Sequence, residues 1–175
     1  MSNRDSYKPG PAAGAKIQMD GDAWTLVLVR ELRHSPDRVW NALTDPASLR
    51  EWAPFDADHS LALVGPVKLS TVGTPTPQVS ETRVTRADPP KLLEYRWGNS
   101  ELRWQLEELG EGTRLTLWHN IERNFISMGA AGWHICFDVL DRFLSREPIG
   151  RIVGAEAMQF EWPRLNSEYT KQFGL

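Results

Sequence analysis

The spacing of apolar and polar residues changes several times along the chain, and each change marks the edge of an element. Over residues 24–33 the run WTLVLVRELR is β-branched and leucine-rich with polar residues at its end, which predicts a first strand. The next stretch, HSPDRVWNALTDPASLREW at 34–52, holds two helix starts. Ser35 is placed to cap with Pro36 at the first helical position, and Asp45 with Pro46 repeats the arrangement. Val39, Trp40 and Leu43 then share one face of the first predicted helix, and Leu49 and Trp52 share one face of the second.

From Leu61 to about Asn120 the chain alternates with period two between turn residues, which predicts antiparallel sheet. Predicted strands run over 61–64, 66–72 and 79–87, with Asp88-Pro89-Pro90 ending the last of these. Segments 92–97 and 100–109 flank Gly98-Asn99, a pair suited to a tight hairpin, and a final strand runs over 113–120. Leu93, Tyr95 and Trp97 share a face, as do Leu102, Trp104 and Leu106, and Leu115, Leu117 and His119. Arg and Glu dominate the opposite face, so one side of the sheet is expected to be solvated. Trp118 falls on that polar side and is expected to pack against arginine stems.

Residues 125–144 return to helical spacing, with Trp133, Phe137, Leu140 and Leu144 on one stripe and Met128, Ile135 and Val139 on an adjacent one. The apolar surface of matching size is the inner sheet face, so this helix is predicted to lie across it. Gly129 and Gly132 mark a close approach by backbone or ligand, or a late helix start. After a break at Glu147-Pro148 and Gly150, Leu165, Tyr169 and Phe173 at spacing four predict an amphipathic terminal helix that starts or kinks at Pro163. Residues 1–20 mix Pro, Gly, Ala and polar residues without periodicity and are expected to form a disordered tail. The rest, 21–175, reads as a single domain in which 146–175 is a helical extension.

Composition narrows the function. A formal net charge of -3 over 175 residues offers no basic footprint for phosphates, so nucleic acid is not an expected partner. One cysteine, Cys136, forms no internal disulfide, and the sequence shows neither a signal-peptide core nor a run long enough to span a bilayer. A cytoplasmic location is the expectation. Eight tryptophans supply aromatic surface suited equally to a core or to a ligand pocket.

The segments HSPDRVWNALTDPASLREW at 34–52, DPPKLLEYRW at 88–97, GTRLTLWH at 112–119 and GWHICFDVLDRFL at 132–144 resemble the START-like, helix-grip superfamily. Within it they resemble the homologues of the heat-shock-protein-90 ATPase activator. The resemblance implies an α+β fold in which a curved antiparallel sheet wraps around a long helix, with a cavity between them that in many relatives holds an apolar molecule. Functions in the superfamily span lipid and hormone binding, aromatic polyketide cyclisation and co-chaperone action, so fold alone does not assign one.

The expected function is binding of a small apolar or aromatic ligand in that cavity. Trp97 and Trp104 on the inner sheet face, with Tyr95 beside them and Trp133 and Phe137 on the helix, are the candidate wall, and Trp52 and Phe55 the candidate rim. His119 lies on the apolar face near a strand end, where it serves either as a polar anchor for the ligand or as a core histidine bonded to backbone. His134 and Asp138 share a helix face, but two ligands do not make a metal site, and no metal or other cofactor is expected. Neither a nucleophile elbow nor a Cys/His signature is present, so no catalytic residue is assigned. A protein-interaction module or chaperone regulator and a cyclase-like or hydrolase-like enzyme are the alternatives. A filled interior would favour the interaction module, and a void with convergent polar groups would favour binding or catalysis.

Overall fold

A strand that side-chain pattern does not announce begins the fold. In the computed structural model, which describes residues 3–76 and 78–175, β1 (Ala15–Asp20) pairs antiparallel with β2 (Ala23–Leu32) from Ala15↔Leu28 to Asp20↔Ala23. The expected disordered tail is therefore corrected over residues 3–20, while residues 1 and 2 lie outside the described residues. Backbone hydrogen bonds hold this edge strand, and its short, largely polar run AKIQMD needs little apolar surface to do so. Residues before it are docked as well. Tyr7 is only 6% exposed, and the Arg4 guanidinium donates to the carbonyls of Ile149, Gly150 and Arg151.

The two predicted helices form where their caps place them. α1 (Pro36–Thr44) follows Ser35, whose Oγ accepts from the Arg38 amide at 3.4 Å. α2 (Pro46–Trp52) follows Asp45, whose carboxylate accepts from the Ser48 amide at 3.0 Å. They come after the second strand, not the first. Segment 61–64 is a turn instead of a strand: Leu61 is buried, and Leu63 and Val64 are exposed. The strand that enters the sheet there is the short β3 (Phe55–Ala57), paired with β4 (Gly65–Thr71).

β5 (Gln78–Asp88), β6 (Leu92–Trp97), β7 (Ser100–Leu109) and β8 (Gly112–Asn120) complete an eight-stranded antiparallel sheet ordered β1-β2-β8-β7-β6-β5-β4-β3. The predicted alternation sets its two faces. Leu93, Tyr95, Leu102, Trp104, Leu115 and Leu117 are buried on the concave face, while Arg96, Arg103 and Glu107 are exposed on the convex one. Trp118 lies on the convex side with the Arg103 guanidinium 5.2 Å from its ring centroid.

Across the concave face runs α3 (Ile126–Leu144), entered through the 3₁₀ turn Arg123–Phe125. Ile135, Phe137, Val139 and Leu140 are at most 1% exposed, so both sides of the helix are covered. The sheet covers one side. α2, the N-terminal segment and α4 (Trp162–Phe173) cover the other. The curved sheet gripping a long helix is the helix-grip α+β architecture.

Candidate functional site

The concave face does not close on α3 along its whole length. Where β6, β7 and β8 meet the N-terminal half of the helix, a cavity of about 640 Å³ remains. Trp97 of β6, Ser100 of β7 and His119 of β8 form the sheet side, with Thr71 and Gln78 beyond them. Met128, Gly129, Gly132, Trp133 and Cys136 form the helix side. The third side comes from the chain after α3: Ile152, Val153, the 3₁₀ stretch Gly154–Phe160 through Ala157 and Met158, and Trp162 at the start of α4. Among the described residues, no side chain on the wall carries a formal charge at neutral pH.

Two backbones meet at the edge of this third side. A Cβ added to Gly154 (φ 60°) would lie 1.9 Å from the carbonyl oxygen of Gly73 (φ 84°), in the loop between β4 and β5. Only glycine at this position permits both the left-handed backbone and the approach.

Within the cavity the main polar group is His119. It sits in β8 opposite Leu26 on one side and Leu102 on the other, and is 6% exposed. Its Nδ1 is 2.9 Å from Nε1 of Trp133. An indole N–H can only donate, so Nδ1 accepts and carries no proton. The neutral imidazole then holds its proton on Nε2, which is the donor the ring has left to offer. Burial pushes the imidazole down to about 4 and keeps it neutral through the physiological range. Trp97, His119 and Trp133 form a triangle of rings, with centroids 5.9 Å apart from Trp97 to His119 and 6.0 Å on the other two sides. The Trp97 indole N–H donates to Thr71 Oγ1 at 2.8 Å, which fixes that ring in turn. Burial pushes the Cys136 thiol up to about 12, so it faces the cavity protonated and unreactive.

Of the eight residues expected from the sequence, Trp97, His119 and Trp133 come together on this cavity. Trp52, Phe55, Tyr95, Trp104 and Phe137 do not; they fill the core behind it. Their polar atoms are satisfied there: Trp52 Nε1 donates to the Ala42 carbonyl at 2.9 Å, and Trp104 Nε1 to the Tyr95 hydroxyl at 3.1 Å. Trp104 packs edge-on against Trp133 at 5.5 Å, so these residues support the wall without forming it. Thr71 and Ser100 escaped sequence reading. Gly132 left a signal, a glycine inside an apolar helical stretch.

The His134 and Asp138 pair serves another purpose. Asp138 accepts from the Tyr7 hydroxyl at 2.5 Å and from Arg30 at 2.6 Å, while His134 Nδ1 lies 2.7 Å from the Tyr169 hydroxyl. Tyr169 also bonds to Ala13, so this network ties the N-terminal segment and α4 to the outer side of α3. His34, just before α1, is buried with Nε2 at 3.1 Å from Asp141. Among the described residues, no group of three His, Cys, Asp or Glu stands close enough to hold a metal ion, and no helix is long and apolar enough to cross a membrane.

Comparison with known proteins places this geometry. The profile of the family described as activator of Hsp90 ATPase homolog 1-like protein matches residues 33–145. No curated protein sequence matches. Among solved structures, EF2215 from Enterococcus faecalis, a conserved protein of unknown function, is 16% identical with a TM-score of 0.70 over 90% of this chain and 89% of its own. CalU16 from Micromonospora echinospora is 20% identical with a TM-score of 0.67 over 96% and 95%. The AHSA1-like protein from Aeromonas hydrophila is 16% identical with a TM-score of 0.57 over 70% and 92%. At these identities the structures share the fold.

Proposed function

Because the chain belongs to the activator of Hsp90 ATPase homolog 1-like family, whose fold suits ligand binding as well as regulation, we propose that it binds a small apolar molecule in the sheet–helix cavity. One observation carries this reading. Between sheet and helix lies a pocket of about 640 Å³, open to solvent at its mouth, with mostly apolar walls and a buried imidazole among them, which is the form of a small-molecule site.

Energetics set the size of the guest. Micromolar affinity requires about 8 kcal/mol net. Association takes back at least about 4 kcal/mol, so the gross gain must reach about 12 kcal/mol. At roughly 25 cal/mol per Å² that is about 500 Å² of apolar area removed from water, the scale of a molecule with several fused rings or a long acyl chain. A hydrogen bond from His119 reduces that demand by about 1 kcal/mol. The reading includes a cytoplasmic location, in keeping with the lone, buried thiol of Cys136.

Native mass spectrometry of freshly purified protein tests it directly: a copurifying molecule, released on denaturation, is the expected result. A panel of apolar compounds is expected to quench Trp97 and Trp133 emission saturably and to raise the melting temperature. A panel that leaves both unchanged would favour an interaction module, for which Phe125, Met128 and Met158, 40–55% exposed at the cavity mouth, offer an apolar contact surface.

A further inference from the structure

Resting on the binding reading above, the arrangement of donors and empty space specifies the guest's chemistry. We propose that the cavity selects an uncharged, flat molecule bearing a hydrogen-bond acceptor, held by Nε2–H of His119 with its body against the bare face of α3 at Gly132.

Three observations carry this. First, Trp133 takes the lone pair of His119 Nδ1, so the ring can present only a donor from Nε2. A carbonyl, ether or hydroxyl oxygen satisfies it; a guest with no acceptor covers the donor without replacing its hydrogen bond to water. Second, the described wall carries no charge, so a carboxylate or ammonium guest would lose its hydration without a counter-ion. Third, Gly132 lines the cavity, and a Cβ built on it meets nothing within 4 Å. Glycine in the interior of a helix costs about 1 kcal/mol relative to a good helix former. Here it keeps open a slot beside the Trp97, His119 and Trp133 rings, and rings on one side with bare helix on the other suit a flat guest. Gly129 is different, since a Cβ there would lie 2.5 Å from Cδ1 of Ile121.

The test uses three matched probes on the full chain, followed by isothermal titration and thermal unfolding: fluorenone, fluorene, which lacks the carbonyl, and fluorenone carboxylate. Fluorenone is expected to bind about five- to tenfold more tightly than fluorene, the span of one neutral hydrogen bond. The carboxylate is expected to bind at least about tenfold more weakly than fluorenone. Glu or Asp need not be introduced to probe the donor: His119→Phe should erase the preference for fluorenone, and His119→Gln, which keeps both an acceptor for Trp133 and a donor, should retain part of it. Gly132→Leu should abolish binding of all three while the melting temperature holds or rises, since leucine favours the helix and stands in open space.

Equal affinity for fluorene and fluorenone would overturn the acceptor requirement while leaving the binding reading intact. Tight binding of the carboxylate would overturn neutrality, and unchanged binding to Gly132→Leu would overturn the seat on α3. Failure of all three probes to bind the wild-type chain, together with no copurifying molecule, would remove the binding reading and this inference with it.

Discussion

His119 is neutral in the folded chain because burial holds it at about 4, against an ordinary value of 6.5. Between those two values the unfolded chain takes up the proton and the folded one does not, so folding stability is lost as pH falls. The loss begins near pH 6.5 and is complete below about pH 4, amounting to about 3 kcal/mol for a shift of this size. His134, also lowered mainly by burial, adds to it with the same sign. Urea denaturation from pH 7.5 to 4 should therefore show a falling midpoint, and His119→Gln should flatten that fall; an equal slope in the variant would mean that other groups carry it. At this scale the sequence was half informative. Period two puts His119, Trp97 and Trp104 on one face. It does not say how far along its strand each residue meets the helix, which is what separates Trp97 at the cavity from Trp104 in the core.

Covered on both sides, α3 is the element on which the rest depends. Phe137 is 1% exposed between Trp104 and Trp133, so Phe137→Ala should cost about 3–5 kcal/mol in chemical denaturation; a near-zero cost would mean a compliant site. The outer side is held through polar atoms. Tyr7 reaches Asp138 from the N-terminal segment, and burial together with the Asp138 carboxylate raises its phenol well above the ordinary range, so the hydroxyl stays a donor. A chain beginning at Ala15 loses this bond, the buried Tyr7 ring and the contacts of Ala12 with Glu168 and Gln172. About 4 kcal/mol is expected to go with them, or about 10 °C in a thermal melt. A change within about 2 °C would show that the segment is held only weakly. Helices with caps and stripes were legible because the signals lie in neighbouring residues. β1 and the segment before it were not, because their partners are backbone groups and residues more than a hundred positions away.

Seen whole, the molecule lines its cavity with three successive pieces of chain, the sheet, α3 and the segment after it, and the last is pinned by the Gly73–Gly154 approach. Gly154→Ala puts a methyl group into that carbonyl, so residues 153–160 must move. Thermal stability should fall by about 1–2 kcal/mol, from backbone strain at the left-handed position. Trp162 and its neighbours should become more accessible to quenchers and cut by proteases, while the Trp104 core is unaffected; full retention of the wild-type proteolysis pattern would show that the loop absorbs the change.

The wall beyond that contact also lies outside the stretch that the family match covers. The family match spans residues 33–145, so the sheet side and the α3 side fall within it, while Ile152 to Trp162 follow it. The matched stretch of this chain supplies the imidazole donor and the helix slot; the segment after it sets the shape of the opposite surface and the width of the mouth. Two relatives with superimposable sheets can thus differ in what they accept. A ligand found for one is a hypothesis for another only after their closing segments have been compared.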